Sequence, residues 1–475
     1  MAYTPTIGLE IHAELTTRTK MFCACANDPE AAEPNVHVCP ICLAHPGTLP
    51  VPNKEAVRHI LRIGTALSGT LASAYSEFDR KSYFYPDIPK GYQISQYAYP
   101  LVSGGVLADI PITRVHLEED TARSVHTREG SLIDFNRAGI PLMELVTEPE
   151  IHDAQTAGLF ARELQILLRT LGASHANLEK GEMRIEANIS VSQDGTRGTK
   201  VEVKNLNSFR SVERAIAFEI ERQTTLLARG EKVVQETRGW DENKQETFHQ
   251  RLKESSADYR YFPEPDIPKL VLAEVEDLTP EAIARTLPEL PAEKRARYDT
   301  LYALKSEDSA FIIETPTRSA FFDAVADALG KDRELVRRAV NYITTDLAGW
   351  YAKHGGEEYA HIKPQDFAAL IRMVGEGAVS SRGAKDILAI MAEEGGDPKE
   401  IARARGFLQT QDREALGNII EKVIAENEKV VREYRAGKHE TLQFLIGQGM
   451  KAARGAGNPQ LIREILIEKI QGKGA

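Results

Sequence analysis

The stretch "IGLEIHAEL", Ile7 to Leu15, alternates with a period of two, placing Ile7, Leu9, Ile11 and Ala13 on one side and Glu10, His12 and Glu14 on the other. Such alternation predicts a strand with one apolar face. Its second face gathers two carboxylates and an imidazole, groups that can hold a metal or move a proton. A solvated antiparallel strand also carries Glu on its outer face with no function attached. Whether other segments bring matching groups therefore decides between the two readings.

Several do. "MRIEANIS", Met183 to Ser190, alternates as cleanly, with Arg184, Glu186, Asn188 and Ser190 opposite Met183, Ile185, Ala187 and Ile189. After the turn "SQDGTRG" comes "TKVEVKNLNS", where Lys200, Glu202 and Lys204 oppose Val201 and Val203, so the pair reads as a hairpin with a charged face. "TRVHLEEDTA" adds His116, Glu118, Glu119 and Asp120, "GIPLMELVTEPE" adds Glu144 and Glu148, and "FDRKSYFYPD" supplies Arg80 and Lys81. A sheet presenting carboxylates and a few cations can hold Mg²⁺, which takes oxygen ligands and shared phosphates, together with a nucleoside triphosphate. Neither G-x-x-x-x-G-K-[ST] nor G-x-G-x-x-G occurs, so ATP, if bound, is expected on the sheet.

Composition frames that sheet. With 475 residues, 42% hydrophobic and 27% charged, the chain has room for roughly two to four domains. No apolar run reaches the roughly 18 residues of a membrane span, and "MAYTPTIG" lacks the basic and apolar pattern of a leader, so a cytoplasmic location is expected. The net charge of -11 argues against a surface coated in nucleic-acid-binding patches. Residues 401–475 depart from that balance, with 13 Lys+Arg against 9 Asp+Glu, a modest basic excess that suits either a polyanion or a solvated helical face.

Residues 1 to about 290 are rich in Gly, Pro, Tyr and short alternating runs, interrupted by the helical patterns "TAGLFARELQILLRTLG" and "SFRSVERAIAFEIERQTTLL". The expected class is α+β, with a mainly antiparallel sheet domain followed by two all-α domains. A boundary is expected within Pro288 to Tyr298, where prolines give way to a charged helical start, and another near Gly395 to Gly406. The domains are accordingly 1–292, 293–402 and 403–475. A short echo, "YFYPDIPKGYQ" at 83–93 and "YRYFPEPDIPK" at 259–269, marks two rigid proline turns and carries no function by itself.

The four cysteines stand as "CAC", Cys23 and Cys25, and "CPIC", Cys39 and Cys42. Two close pairs of thiolates suit tetrahedral zinc, and "CPIC" has knuckle spacing, so a structural zinc site in an insertion at 21–45 is expected. Such a closed site leaves no open position for catalysis.

Taken in order, "IGLEIHAEL", "CAC…CPIC", "FDRKSYFYPDIPKGYQISQ", "HLEED", "IPLMELVTEPE", "RIEANIS", "KNLNSF" and "DYRYFPEPDIP" closely resemble the B subunit of the tRNA-dependent amidotransferases. These enzymes convert Glu-tRNA(Gln) to Gln-tRNA(Gln) and Asp-tRNA(Asn) to Asn-tRNA(Asn). "FLIGQGMKAARGAGNPQ", Phe444 to Gln460, is similar to that family's C-terminal tail, so the resemblance covers nearly the whole chain.

The resemblance implies a cradle domain like that of glutamine synthetase and the guanido kinases, then a helical domain and a small YqeY-like tail. It further implies that ATP and Mg²⁺ activate the side-chain carboxylate as an acyl phosphate, which ammonia then displaces. Matched onto this sequence, Glu10, His12, Glu119 and Glu144 are the implied metal and catalytic positions. Glu186 stands where the family usually has Asp. Lys81, with Arg80 and Lys204, is the implied nucleotide-binding set, and the tail, with Lys451 and Arg454, would engage tRNA, its glycines allowing close backbone approach to phosphate. In "HLEED" alternation does not choose between Glu118 and Glu119; the resemblance selects Glu119.

No glycine-serine-rich amidase signature and no unassigned Cys nucleophile is present, so a glutaminase partner, the family's A subunit, and its bridging C subunit are expected. Two other classes of function remain open on sequence. A non-catalytic RNA-binding scaffold would make zinc module, tail and acidic sheet all structural, and a stand-alone metal-dependent ligase for a small carboxylic acid would not need the tail.

Overall fold

The computed structural model describes residues 3–193, 196–252, 259–409, 412–453 and 457–472. They divide into two compact units, Met1–Pro291 and Ala292–Ala475. In the first, the strands in chain order are β1 Thr4–Glu14, β2 Thr70–Leu71, β3 Asp79–Ser82, β4 Tyr92–Ser95, β5 Val102–Ser103, β6 Val106–Leu107, β7 Ile110–Glu119, β8 Arg123–His126, β9 Ser131–Asp134, β10 Pro141–Thr147, β11 Met183–Ser192, β12 Val201–Leu206, β13 Glu236–Asp241, β14 Glu246–Leu252 and β15 Phe262–Pro263.

Among the described residues ten of these strands form one sheet, ordered β14-β13-β12-β11-β1-β10-β7-β5-β2 with β6 beside β7. Among the described residues only the β12–β13 pair is parallel. The unit is therefore α+β with a sheet dominated by antiparallel pairs, as the sequence leads one to expect. β1 lies mid-sheet, hydrogen-bonded to β10 on one side and β11 on the other.

Period-two alternation decides what each face does. Ile7, Leu9 and Ile11 of β1 join Met143, Leu145, Val115, Leu117, Ile185 and Val203 in one core. Helices α1 Lys54–Ala66, α2 Ala154–Thr170 and α3 Phe209–Ala228 contribute to the same core through Ile60, Phe160, Leu164, Val212 and Ile216. Each fully buried aliphatic side chain there contributes about 1.5–3 kcal/mol, which pins the register of β1. The helix starts are fixed locally, since Asn53, Asp153 and Ser208 accept from backbone N–H groups of the first turn. With the apolar face occupied, the alternate side chains of the central strands point to the other.

Two smaller sheets border this one, β15-β3-β4 and β8-β9. The first joins the chain next to the two copies of the Pro-Asp-Ile-Pro-Lys echo. β3, just before the first copy, pairs with β15 inside the second, Arg80 opposite Phe262.

The second unit is helical, running from Pro291–Tyr302 to Pro459–Gly472. Its last four helices, Arg413–Glu426, Glu428–Arg435, Thr441–Ala452 and Pro459–Gly472, enclose an apolar cluster of their own built on Leu416, Ile420, Leu445, Ile462 and Leu466. Among the described residues no helix is long and apolar enough to cross a membrane.

Candidate active site

Strand register assembles the polar face row by row. His12 on β1 lies opposite Glu144 on β10 and Arg184 on β11, and Glu144 in turn lies opposite His116 on β7. One residue pair along, Glu10 lies opposite Glu186. The side chains converge: His12 Nε2 is 3.2 Å from Glu118 Oε1, 3.4 Å from Glu144 Oε2 and 4.0 Å from Glu10 Oε1. Three overlapping sets of donor atoms each lie close enough to share an ion: Glu10, His12 and Glu144; His116, Glu118 and Glu144; and Glu10, Glu186 and Glu202. Carboxylate oxygen predominates, which suits Mg²⁺ or Mn²⁺, and the imidazoles favour the latter.

The electrostatics record how crowded these groups are. Burial, reinforced by the charges of Glu144 and Glu186, pushes the Glu10 carboxyl up to about 7. Burial works against a charged His12, yet hydrogen bonds to Glu118 and Glu144 hold its imidazolium well above the usual range. Glu144 is held well below the carboxylate range despite its burial, because His116, His12 and Lys81 surround it. His116 goes the other way, lowered by burial, and its Nδ1 has no hydrogen-bond partner.

Of the cations expected from sequence, Lys81 reaches this cluster. Burial opposes its charge, but Glu118, Tyr261 and Glu144 keep it well above the ordinary lysine range. Its ammonium also lies 5.3 Å from the centre of the Tyr259 ring, within an aromatic wall where Tyr97 stacks on Tyr261 at 4.5 Å. Lys204 donates to both oxygens of Glu186 at 2.8 Å. Arg80 does not join them. Its guanidinium is paired with Glu264 at 2.7 Å and Asp266 at 3.1 Å.

Glu119 likewise stands apart from the cluster in which the resemblance places it. Consecutive strand residues face opposite ways, and it is Glu118 that lies beside His12. Glu119 instead pairs with Lys90 at 2.5 Å and accepts from the Ile94 N–H at 3.0 Å. It lines a cavity of ≈ 270 Å³ shared with Lys90, Asp120 and the cysteine loop, a different place from the carboxylate cluster. Sequence reading does not single out Glu202, His116 and Arg184 as site residues, although strand parity is a signal that could. Lys90, in a proline-rich turn, carries no such signal.

The cysteines converge. Cys42 Sγ lies 3.6 Å from Cys23, 3.7 Å from Cys39 and 3.8 Å from Cys25. A tetrahedral ion with sulfur ligands at about 2.3 Å has sulfur–sulfur edges of about 3.8 Å, whereas a disulfide would need about 2.05 Å. The donor set fits zinc.

In the tail, Lys451 is exposed on the last turn of Thr441–Ala452, and Arg454 lies outside the described residues. The glycines there do not all open the backbone. A Cβ on Gly449 would meet Ile462 Cγ2 at 2.8 Å and Ile420 Cδ1 at 2.9 Å, so this glycine lets helices approach; at Gly447 nothing lies within 4 Å.

Fold and site together define a class: an α+β domain with a metal-seeking polar sheet face and a thiolate loop, continued by a helical unit. A family model described as the GatB/GatE catalytic domain matches residues 5–276, and a second, described as the GatB domain, matches 320–470. The B subunit of the aspartyl/glutamyl-tRNA(Asn/Gln) amidotransferase from Thermomicrobium roseum is 46% identical over 486 residues, covering 99% of each chain. The B subunits from Thermus thermophilus and Picosynechococcus are 44% and 42% identical, over 98% and 99% of this chain and 99% and 98% of theirs. The chain belongs to the B-subunit family of these amidotransferases, which are carbon–nitrogen ligases.

Proposed function

We propose that this protein uses ATP to phosphorylate the side-chain carboxylate of Glu carried by tRNA(Gln), of Asp carried by tRNA(Asn), or of both, and that ammonia then displaces the phosphate to give the amide. A carboxylate resists attack by ammonia because it has no good leaving group; as an acyl phosphate it loses phosphate instead. The observation that carries the reading is that two potential ligand sets, Glu10–His12–Glu144 and Glu10–Glu186–Glu202, meet at Glu10 on one strand face, beside the half-buried Lys81.

In this mechanism Glu10, His12, Glu118, Glu144, Glu186 and Glu202 would hold Mg²⁺, which supplies charge neutralisation and alignment of the phosphate oxygens. Lys81 offsets the repulsion between the substrate carboxylate and the γ-phosphate, two anions that must meet. The wall of Tyr97, Tyr259 and Tyr261 gives flat apolar surface for a base. Lys204 stays in the site through Glu186. Zinc on Cys23, Cys25, Cys39 and Cys42 is structural.

The remaining assignments rest on the family and on the lack of a glutaminase signature. Ammonia comes from the partner A subunit, with the C subunit completing the assembly. The chain works in the cytoplasm as 1–292, the catalytic cradle, 293–402, a helical domain, and 403–475, a tRNA-binding tail to which Lys451 and Arg454 contribute. A non-catalytic scaffold would leave the raised Glu10 and the orphaned His116 nitrogen without a purpose.

The test is made in the assembled enzyme, with misacylated tRNA, γ-labelled ATP and ammonium as nitrogen source. Phosphate release should depend on the aminoacyl group, and Glu144→Gln should abolish both phosphate release and amide. Amide formed by Glu144→Gln at near the wild-type rate would sink the assignment.

A further inference from the structure

A lysine is almost never fully buried unless something charged answers it. Lys20 is 0% exposed. Its Nζ donates to the His37 carbonyl at 2.7 Å and the Phe135 carbonyl at 3.0 Å, and its third contact is Cys42 Sγ at 3.7 Å. Of these three, only the thiolate can bear a charge. The backbone of the same residue reaches the other cysteine pair, its N–H donating to the Cys25 carbonyl at 2.9 Å. One residue thus touches both halves of the four-cysteine loop.

Four thiolates around Zn²⁺ leave two negative charges in excess, and a buried excess is costly unless a cation or hydrogen-bond donors answer it. We propose that Lys20 is the electrostatic partner of the zinc tetrathiolate, a positioning residue whose buried ammonium offsets part of that excess and so sets how tightly the loop holds its metal. The proposal rests on the zinc reading above.

The position has a second consequence. Phe135 and Gly139 belong to the segment between β9 and β10; Met21 N–H donates to the Gly139 carbonyl at 2.7 Å, and a Cβ on Gly139 would lie 3.7 Å from Lys20 Cδ and 3.9 Å from Glu119 Oε2. Lys20 therefore ties the thiolate loop to the wall of the cavity that holds the Lys90–Glu119 pair. Loss of zinc should free the Lys20 ammonium and loosen that wall.

Asn136 provides a neutral control. Fully buried, it stitches the same segments by accepting from the His37 N–H and donating to the Glu33 carbonyl, both at 2.9 Å, without adding charge. In the assembled enzyme, zinc per chain is measured by elemental analysis and its release by transfer to a chromogenic chelator. Lys20→Met and Lys20→Gln should release zinc roughly 10- to 100-fold faster than wild type, the range for lost outer-shell partners. Lys20→Arg should restore slow release, and Asn136→Ala should behave as wild type. Running Gln beside Met keeps a folding defect in one variant from deciding the matter. Wild-type release rates in both neutral variants, or equally fast release from Asn136→Ala, would overturn the proposal. A wild-type protein with no zinc and four freely titratable thiols would instead overturn the zinc reading itself.

Discussion

Two networks of buried carboxylates sit in the same unit and differ in how far they are satisfied. Around Glu219 and Glu236 the partners are close and matched: Arg222 donates to Glu219 at 2.7 Å, Gln223 at 2.9 Å and Thr247 at 3.1 Å, while Arg238 donates to Glu236 at 2.8 Å. Burial notwithstanding, Arg238 and His249 hold Glu236 below the usual carboxylate range. On the open face of the sheet the contacts of His12 stretch from 3.2 to 4.0 Å, Glu10 is pushed up to about 7, and the His116 Nδ1 has no partner. The first network is finished at its two carboxylates, although the Gln223 Oε1 beside them has no hydrogen-bond partner. The second is unfinished at its carboxylates and imidazoles, and perturbed acids are where function concentrates.

Breaking the unfinished network should cost the most. Glu118→Gln should lower ATP-dependent activation by at least about three orders of magnitude, equivalent to about 4 kcal/mol of barrier, because a ligand oxygen is lost where phosphoryl charge develops. It should also weaken Mn²⁺ binding, read by paramagnetic relaxation of water protons. Glu119→Gln, one residue on but facing Lys90, should retain Mn²⁺ binding. Loss of Mn²⁺ binding in Glu119→Gln with retention in Glu118→Gln would reverse the assignment of the two neighbours.

That pair of residues also marks where sequence stops being informative. β1 is readable because its apolar residues fix which parity is buried, and parity places Glu10, His12 and Glu186 on charged strand faces without knowledge of the fold, whereas Glu144 is picked out by the resemblance. In "HLEED" both acids follow the last core residue of β7, Leu117, so each is buried for its own reason. Glu118 faces His12, and Glu119 is taken up by Lys90 and a backbone N–H of β4. Those partners arrive from distant segments through sheet pairing that no local pattern encodes. The partners of Arg80 are hidden for the same reason, since Glu264 and Asp266 come from the far end of the unit in sequence. The cysteines are legible because zinc chemistry restricts spacing, while the lysine beneath them is not, because any polar residue could occupy a loop position.

Breaking the finished network should cost stability and nothing at the metal site. Arg238→Ala would take a donor from Glu236 and an ion-pair partner at 3.7 Å from Glu219, which is 0% exposed. Removing one partner of buried ion pairs costs about 3 kcal/mol at the lower end of the usual range, apt here because Arg222 remains. Native-state hydrogen exchange at the β13 amides should report that loss, with Mn²⁺ affinity unchanged. A variant as stable as wild type would mean that Arg222 alone satisfies both acids and that the contrast between the networks is one of geometry only.

The smallest expected effect separates the networks by sign. Glu10 has a folded-state pKa of about 7 against 4.5 as its ordinary value. The folded chain therefore binds that proton more tightly than the unfolded chain, so Glu10 progressively destabilises the metal-free fold as pH rises from about 4.5 to about 7, after which the penalty is constant. Glu10→Gln removes the charge and keeps the shape. At pH 8 without divalent cations it should be more stable than wild type by about 1 kcal/mol, a value kept below the full shift because the side chain retains some exposure to water. At pH 5 the gap should shrink toward zero, and added Mn²⁺ should stabilise wild type more than the variant. Hydrogen exchange at the β1 amides, corrected for intrinsic rates at each pH, measures all three. An equal gap at pH 5 and pH 8 would show that Glu10 bears no unusual burden of charge, and the open face would then resemble the Glu219–Glu236 network more than it differs from it.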